Sequence, residues 1–513
     1  MSQGNNAKPV SGGSHRAPPE RTFGAQIGLT VLGAVFPGSG FWFAGKRVLG
    51  GVVFGVFVAL VATGTALGMA DPRAYLHAAV RTDTLLQIAI GCIVVAVAWV
   101  IVVVASHLLL SRGADNPSHR IIGLGVVVVL CAAVALPLAV GARYAYAQRD
   151  AINHVFSPHV KSATAPEEAT ADDPWAGADR VNVLLLGGDG GVDRTGIRTD
   201  SMILASIDTH SGDTVLFSLP RNLQHAPFPE GSPLHKYYPN GFSGPGDLGN
   251  WLLNAIYRMV PMHHPGVLGA TDNEGADALK QSIGEIVGLH VDYYVLINLA
   301  GFQELIDALG GITVNVNNVV SIGGNHDTGQ PPTGWIQPGP DKHLDGFDAL
   351  WFARGRWNTS DYDRMQRQRC VIDAIIEQAN PSNLLLRYEE ILKAGKKIVR
   401  TDIPQKLLPA LVDLALKVKD ADLKSVVFTP NDHFQPASPD FDYMRSVVGK
   451  ALTRAAAPER SQRPDRTTPR SSSTTDSTGT PTTPTGPGGT DDVGGGTDIA
   501  QEPTDVCAYH PTG

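Results

Sequence analysis

The sequence has little cysteine and no excess of positive charge, and both shortages narrow the classes of protein it can belong to. Its 513 residues include 4 cysteines, and 41 Lys and Arg against 49 Asp and Glu leave a formal net charge of −8. Nucleic-acid-binding proteins normally carry a basic field, so no nucleic-acid partner is expected. Cys92 and Cys131 lie inside apolar runs, where a thiol behaves as a small hydrophobe. Cys370 and Cys507 lie outside them.

Several widespread catalytic motifs are also missing. The chain contains no G-x-x-x-x-G-K-[ST] loop, no H-E-x-x-H and no G-x-S-x-G elbow, which argues against the chemistries those motifs support. His263-His264 lies in a Pro/Gly-rich loop without nearby partners, so a metal site there is not favoured. The N-terminus is polar and lacks a compact apolar segment with a cleavage site, so no cleaved signal peptide is expected.

Long apolar runs are abundant before residue 147. Residues 49–70, 85–110 and 121–147 each supply the roughly 20 apolar residues that one membrane span requires. A fourth run, residues 23–44, is interrupted by Pro37-Gly38-Ser39-Gly40 and is predicted to re-enter the membrane or to lie at its surface. Residues 1–22 are predicted to form a polar cytoplasmic tail. The whole region is interpreted as an anchor, since no intramembrane Asp, Glu or Lys suggests transport.

The orientation of the anchor depends on its basic residues. If residues 23–44 re-enter, then Lys46-Arg47, Arg112 and Arg120 all fall on the cytoplasmic side, as the positive-inside rule requires. If residues 23–44 cross fully, the orientation reverses, and Arg143 and Arg149 fit that alternative better. We predict a multi-pass membrane protein with its C-terminal domain outside the cytoplasm.

The remaining chain reads as an α/β domain followed by a tail. Residues 148–178 are predicted to be a linker, 179–455 a domain with a mostly buried central sheet and helices on both faces, 456–505 disordered, and 506–513 a Cys-containing C-terminus. Strands are predicted at residues 181–186, 202–207, 214–219, 293–297, 312–316 and 426–428, with a hairpin turn at 208–213. Capping boxes at 271–274 and 360–363 predict two helix starts, the second helix running through about Ala379. Outside the cytoplasm, a Cys370–Cys507 disulfide is expected.

Polar residues gather at the ends of these predicted elements. Asp189 follows the first strand, Arg198 and Asp200 flank the start of the second, and Arg221 follows the third. Further on come Arg354, Arg356, Asp363, Arg364, Arg367 and Gln368. Taken singly, each has an ordinary interpretation, such as a turn aspartate, a helix cap or a surface arginine.

Together these residues indicate a polyanion site that uses a metal ion. Open α/β sheets bind ligands at strand ends, and guanidinium groups match phosphate oxygens bidentately. Arg364 and Arg367, three residues apart in the first turn of one helix, are expected to share a face. Mg²⁺ usually takes one or two carboxylates and completes its shell with water and phosphate oxygens, so Asp189 and Asp200 are the predicted ligands.

Several of these segments resemble the LytR-CpsA-Psr family over roughly residues 180–380. The matching segments are Val183-Leu184-Leu185-Leu186-Gly187 with Asp189, Arg198-Thr199-Asp200, Ser218-Leu219-Pro220-Arg221-Asn222, Ala308-Leu309-Gly310-Gly311-Ile312, Leu344-Asp345-Gly346 through Arg354-Gly355-Arg356, and Asp363-Arg364 with Arg367-Gln368. The Arg-Gln-Arg-Cys continuation at 367–370 looks like actinobacterial members. The family's α-β-α fold, with a mixed sheet, agrees with the domain described above.

The resemblance implies a bacterial enzyme that moves a glycan from a polyprenyl-pyrophosphate carrier to a peptidoglycan hydroxyl, forming a phosphodiester. It implies that Asp189 and Asp200 hold Mg²⁺, with Mn²⁺ as the alternative ion. It also assigns the pyrophosphate to Arg198, Arg221, Arg354, Arg356, Arg364 and Arg367, with Gln368 beside them. Asp363 is a candidate general base by position alone. An apolar cleft for the lipid is expected between the sheet and one helix layer.

The chain also departs from the family pattern. Many members have Lys-Ile-Asn-Ala-Ala-Tyr at residues 252–257, which here begin with Leu252, so Lys236 is considered as a replacement cation. Asn222 stands where many members have Asp, and several predicted spans replace the more usual single anchor. Two other functions stay open: a pyrophosphatase that uses water as acceptor, and a non-catalytic wall-binding or regulatory membrane protein.

Overall fold

The computed structural model describes residues 22–70, 72–111, 117–166, 168–188, 199–325, 329–357, 359–378, 399–456 and 507–510. The chain forms two units, residues 1–149 and 150–513. The predicted site residues Asp189 and Arg198 lie outside the described residues, as do nearly all of the polar N-terminal tail and the predicted disordered segment.

The first unit is helical. Its elements are α1 Phe23–Val35, α2 Ser39–Phe43, α3 Arg47–Ala70, α4 Pro72–Val80, α5 Thr82–Leu110 and α6 Pro117–Val155. Within the described residues, three stretches are long and apolar enough to cross a membrane: Arg47–Ala66, Thr82–Leu110 and Pro117–Val155. The run at 23–44 breaks at Gly38, whose φ is 101° and where a Cβ would lie 2.4 Å from the Gly50 carbonyl oxygen. Only glycine fits this break.

The second unit contains the sheet and its covering helices. Its strands are β1 Arg180–Gly188, β2 Thr199–Asp208, β3 Thr214–Ser218, β4 Tyr293–Asn298, β5 Ile312–Val316, β6 Val320–Asn325, β7 Gln330–Ile336, β8 Gly339–Leu344, β9 Val399–Thr401, β10 Leu423–Val427, β11 Phe434–Gln435 and β12 Ser438–Pro439. Its helices are α7 Pro233–Tyr237, α8 Ile256–His263, α9 Glu274–Val287, α10 Leu299–Leu309, α11 Gly346–Arg354, α12 Asp361–Gln378, α13 Leu408–Asp420 and α14 Phe441–Ala456, with 3₁₀ turns at Leu248–Asn250, Leu253–Ala255 and Gln405–Leu407.

The central sheet has six strands in the order β10-β3-β2-β1-β4-β9. The β1–β4 and β10–β3 pairs are parallel and the other pairs antiparallel, so the sheet is mixed. The predicted hairpin joins β2 to β3. The predicted strand at 312–316 also forms, but it pairs with β8 in a separate two-stranded sheet.

Alternation along the central strands directs side chains to two helical layers. Leu184, Leu204 and Phe217 face a core that includes residues of α9 and α14. Neighbouring residues such as Ile203 point to the opposite face, where Ile372 of α12 packs. The predicted α-β-α architecture with a central mixed sheet is therefore confirmed.

Only one of the two predicted capping boxes forms. The Ser360–Asp363 box is reciprocal: the Asp363 amide donates to Ser360 Oγ over 3.1 Å, and the Ser360 amide donates to Asp363 Oδ2 over 2.8 Å. At α9 the N-cap is instead Asn273, while Thr271 donates its hydroxyl to Asp277. The box at 271–274 was therefore wrong, because the Asn273 side chain caps the helix by accepting from the Ala276 amide.

The predicted linker at 148–178 is not a free connection. Residues 148–155 continue α6, and the segment beyond them packs on the domain. Ser162 Oγ donates to Asp277 Oδ1 over 2.8 Å and accepts from Lys280 Nζ over 2.8 Å. Lys280 is fully buried and also contacts Asp402. Burying an ammonium group requires this ring of acceptors, which ties the segment down.

The C-terminal residues 507–510 return to the domain. Cys507 forms a disulfide with Cys370 of α12, whose Cα atom lies 5.5 Å away. Asn315 Nδ2 donates to the Cys507 carbonyl over 2.9 Å, and Asn317 Nδ2 donates to the Ala508 carbonyl over 3.0 Å. The chain end is thus fixed between α12 and the segment that begins at β5.

Candidate active-site cleft

A cleft of about 1260 Å³ lies between the central sheet and helices α10, α11 and α12. One part of its lining is apolar and comes from both layers: Leu185, Ile203, Val295, Ile297, Phe302, Leu305, Leu350, Trp351, Val371, Ile372 and Ile375. The other part is charged: Asp200, Arg221, Arg354, Arg356, Asp361, Asp363 and Arg364, with Gln368 beside them. The cleft therefore suits a ligand that joins an apolar chain to an anionic group.

Asp200 and Arg221 form the ion pair at the sheet side of the charged end. Arg221 NH1 donates to Asp200 Oδ1 over 2.7 Å, and Asn254 Nδ2 donates to the same oxygen over 3.1 Å. The Asn254 backbone N–H also donates to the Arg221 backbone carbonyl, so the two residues are held next to each other. Burial alone would raise the pKa of Asp200. The charge and hydrogen bond of Arg221, with help from Arg364 and Asn254, instead hold this pKa below its ordinary value.

Asp361 gathers three arginines at the first turn of α12. Arg364 NH2 lies 3.0 Å from Asp361 Oδ2, while Arg221 Nε and Arg356 NH1 each lie 3.6 Å from Asp361 Oδ1. Arginines from three separate segments thus meet at one carboxylate. Asp361 was not among the predicted site residues, although its position three residues before Arg364 on a predicted helix was a usable signal.

Arg364 is the most enclosed of these cations. Its side chain is 4% exposed, and burial lowers its pKa to about 10, against the opposing effect of Asp361. The group therefore stays protonated at neutral pH. A buried guanidinium with low exposure interacts strongly with an anion in the cleft, because little water screens it.

Arg354 and Arg356 are placed by the glycine between them. A Cβ at Gly355 would lie 2.5 Å from the Ser321 carbonyl oxygen, so the chain presses against β6 where only glycine fits. The Trp357 amide donates to Ser321 Oγ over 3.2 Å just beyond. The end of α11 is thereby held against β6, and both arginines line the cleft.

Arg367 does not join the cleft, contrary to the prediction that it shares a ligand with Arg364. Its Nε donates to the Phe352 carbonyl over 2.7 Å and its NH2 donates to the Gly355 carbonyl. These are carbonyls at the C-terminal end of α11, which lack partners within their own helix. Arg367 therefore holds the end of α11 in place. Its spacing from Arg364 suggested a ligand contact, but the carbonyls of α11 lie nearby and accept its hydrogen bonds instead.

Gln368 and Asp363 both line the cleft and both hold local structure. Gln368 Nε2 donates to Ser201 Oγ over 2.7 Å and to the Ala353 carbonyl over 3.2 Å. Asp363 Oδ2 accepts from the amide and the hydroxyl of Ser360. Gln368 thus connects β2 to α11, and Asp363 acts as the helix cap that the sequence predicted.

Asp200 is a described carboxylate whose contacts fit a divalent cation. Among described residues, its hydrogen bonds end on Oδ1, which leaves Oδ2 of an ionised carboxylate as a hard oxygen donor. No group of three or more His, Cys, Asp or Glu suited to a metal occurs in the part of the chain that the structure describes. One carboxylate is compatible with Mg²⁺, which retains several waters.

Two other candidates from the sequence lie elsewhere. Lys236 is exposed on α7 and is not among the described residues that line the cleft. His264 stacks on Tyr237 with ring centroids 4.0 Å apart, and His263 lies 5.5 Å from Trp251. The His pair therefore belongs to a cluster of aromatic rings.

Comparison with known proteins gives matches to parts of this chain. A transferase from Oceanobacillus iheyensis, named polyisoprenyl-teichoic acid–peptidoglycan teichoic acid transferase TagU, is 30% identical over 267 residues, which are 51% of this chain and 71% of that protein. The cell wall biosynthesis protein LcpA of Corynebacterium glutamicum is 27% identical over 169 residues, covering 30% of this chain and 31% of LcpA. The crystal structure of B. subtilis TagV is 19% identical, with a TM-score of 0.38, covering 54% of this chain and 98% of TagV.

A family model also matches this chain. It covers residues 151–444, which include the whole described cleft and the packed segment before β1. The predicted resemblance is thus confirmed over more than half of the chain. This protein belongs to the LytR_cpsA_psr family.

Proposed function

We propose that this protein transfers a glycan phosphate from a polyprenyl-pyrophosphate carrier to a hydroxyl of peptidoglycan, attaching a glycopolymer to the bacterial cell wall. The observation that carries the proposal is the single cleft that joins an apolar lining to a cluster of arginines. The printed names of relatives such as TagU, which describe transfer of polyisoprenyl-linked teichoic acid to peptidoglycan, support it.

In this proposal, the charged end binds the diphosphate and the apolar part holds the prenyl chain. Arg221, Arg356 and Arg364 are already gathered around Asp361, so their reorganisation on binding is small. Arg354 adds a fourth guanidinium from the end of α11. Arginines held in place before the reaction stabilise the negative charge that develops when a phosphoanhydride breaks.

The reaction exchanges one phosphorus–oxygen bond for another. The acceptor hydroxyl attacks the phosphorus that carries the glycan, the bond to the bridging oxygen breaks, and polyprenyl phosphate leaves. The hydroxyl proton requires an acceptor. Asp363 remains our candidate, since it lines the cleft. Ser360 donates to its Oδ2, so Oδ1 is the oxygen that would accept the proton. Asp200, together with Asp189, would hold Mg²⁺, which when bound supplies positive charge to the phosphate oxygens.

Such an acceptor requires the domain to lie outside the cytoplasm. The distribution of basic residues around the predicted spans supports this orientation, with the protein embedded in the bacterial cell membrane. A Cys370–Cys507 disulfide is consistent with an oxidising compartment.

The test is a product analysis with the full chain in detergent, a prenyl-pyrophosphate-linked glycan, Mg²⁺ and a peptidoglycan oligomer. We expect a phosphodiester-linked conjugate, and Asp200→Asn should lower its rate of formation about 10²- to 10³-fold, as loss of one prepositioned charge commonly does. Release of free glycan phosphate regardless of acceptor would instead indicate a pyrophosphatase. Binding without any turnover would indicate a regulatory protein and contradict the proposal.

A further inference from the structure

One face of α11 carries two aromatic rings and a cation in a row. Phe347, Trp351 and Arg354 are separated by four and three residues, so they share a helix face. The rings of Phe347 and Trp351 meet edge to face with centroids 6.4 Å apart, and the guanidinium carbon of Arg354 lies 5.5 Å from the Trp351 ring centroid. Trp351 and Arg354 line the cleft, whereas Phe347 is 49% exposed.

The contact between Trp351 and Arg354 restricts a flexible side chain. A guanidinium within about 6 Å of an indole face is attracted by the ring quadrupole, and tryptophan is the strongest partner for this interaction. An arginine side chain otherwise samples many rotamers. Arg354 also lies in the last turn of α11, where the helix dipole favours a cation.

Three backbone carbonyls next to Arg354 accept from other side chains. The carbonyls of Phe352 and Gly355 accept from Arg367, and the carbonyl of Ala353 accepts from Gln368. Those three acceptors are engaged by α12 side chains, and the Trp351 ring is one contact of the Arg354 guanidinium.

We propose that Trp351 is a positioning residue that holds Arg354 toward the diphosphate of the ligand. This inference rests on the proposed function, because it assumes that the charged end of the cleft binds a diphosphate. It goes further by assigning to an apolar residue a role in recognising the anionic group. Its alternative is that Trp351 serves only as part of the apolar lining.

The two roles of Trp351 predict different ligand dependence. A residue that only contacts the prenyl chain contributes equally to binding of a prenyl diphosphate and of the corresponding prenyl alcohol. A residue that positions Arg354 contributes to the diphosphate alone. The ratio of the two dissociation constants therefore separates the roles, and it requires no turnover.

The experiment measures this ratio for the full chain in detergent, with geranylgeranyl diphosphate and geranylgeraniol as ligands. Trp351→Leu should weaken binding of the diphosphate relative to the alcohol about fivefold, and Trp351→Phe should weaken it less, since phenylalanine is a weaker partner for a cation. Phe347→Leu is the matched control on the same helix face and should leave the ratio unchanged.

A double mutant tests whether the effect acts through Arg354. In an Arg354→Gln background, Trp351→Leu should cause no further change in the ratio. An unchanged ratio in Trp351→Leu, or an equal change with and without Arg354, overturns the inference. A wild-type chain that binds both ligands equally contradicts the diphosphate site itself, and with it the proposed function. Trp351→Phe keeps an aromatic ring and decides the matter if the leucine variant does not fold.

Discussion

Arginines near the first turns of α12 have two different kinds of partner. At the cleft, Arg221 and Arg364 lie against the carboxylates of Asp200 and Asp361. Away from the cleft, Arg367 donates to backbone carbonyls at the end of α11. Arg221 and Arg364 border a large cavity, while Arg367 is not among the described residues that line it.

The arginines at the cleft and Arg367 differ in whether an anionic ligand can replace their present partners. A diphosphate entering the cleft can take over guanidinium donors that now face carboxylates, since both are anionic oxygen acceptors. The carbonyls that Arg367 holds belong to a helix end and cannot be displaced without moving α11. The same residue type therefore acts on a ligand in one place and on the backbone in the other.

The largest expected effect is the loss of activity when an arginine at the cleft is removed. Arg221→Ala should lower the rate of glycan transfer about 10²- to 10³-fold, because it removes a prepositioned charge next to Asp200. The thermal unfolding temperature should fall only modestly, since Asp200 keeps its hydrogen bond from Asn254. Lys236→Ala, at an exposed lysine outside the cleft, is the control and should retain full activity. A fully active Arg221→Ala protein would show that the cluster is not the reaction site.

A smaller effect, on stability, is expected at Arg367. Arg367→Ala leaves the Phe352 and Gly355 carbonyls without this donor and should destabilise the domain by about 2 kcal/mol. Thermal unfolding of the detergent-solubilised chain measures this change. Arg367→Lys keeps the charge but loses the planar fork, so it should recover only part of the stability. If Arg367→Ala unfolds like the wild type yet has lost affinity for prenyl diphosphate, the division between the two kinds of partner is wrong.

The smallest effect concerns a carboxylate further along α12. Burial, and secondarily the charge of Glu377, raises the pKa of Asp373 to about 6. The folded domain therefore binds this proton more tightly than the unfolded chain, and this contribution to stability is lost as pH rises from about 4 to about 6. Asp373→Asn should stabilise the domain at pH 8 and have little effect at pH 4, as measured by thermal unfolding at both values. Glu377→Gln should shift the transition to lower pH, and equal effects of Asp373→Asn at both pH values would contradict this assignment.

Much of the architecture was predictable because its signals are local. The apolar runs, the hairpin between β2 and β3 and the capping box at Ser360 each depend on residues close in sequence. The box at Thr271 failed because another nearby residue, Asn273, caps α9, while Thr271 donates its hydroxyl to the buried Asp277. The packed segment around Ser162 was read as a linker because its partners, including Asp402, are far away in the chain.

The candidate site shows the same division. Arg221, Arg356 and Arg364 were predicted to approach one another, and the structure brings them to a common carboxylate. Which carboxylate that would be was not predicted. Neither Asp361 nor Asn254 was predicted to be a site residue.

By itself, the sequence determined the element types, the mixed α/β composition and the supply of arginines and carboxylates at strand and helix ends. These follow from hydrophobic periodicity, turn chemistry and fixed side-chain charge, which act over a few residues. Only the tertiary structure decided the direction of each guanidinium. That choice depends on which acceptors packing leaves unsatisfied nearby. For Arg364 the acceptor is a carboxylate beside a cleft, and for Arg367 it is the carbonyl end of a neighbouring helix.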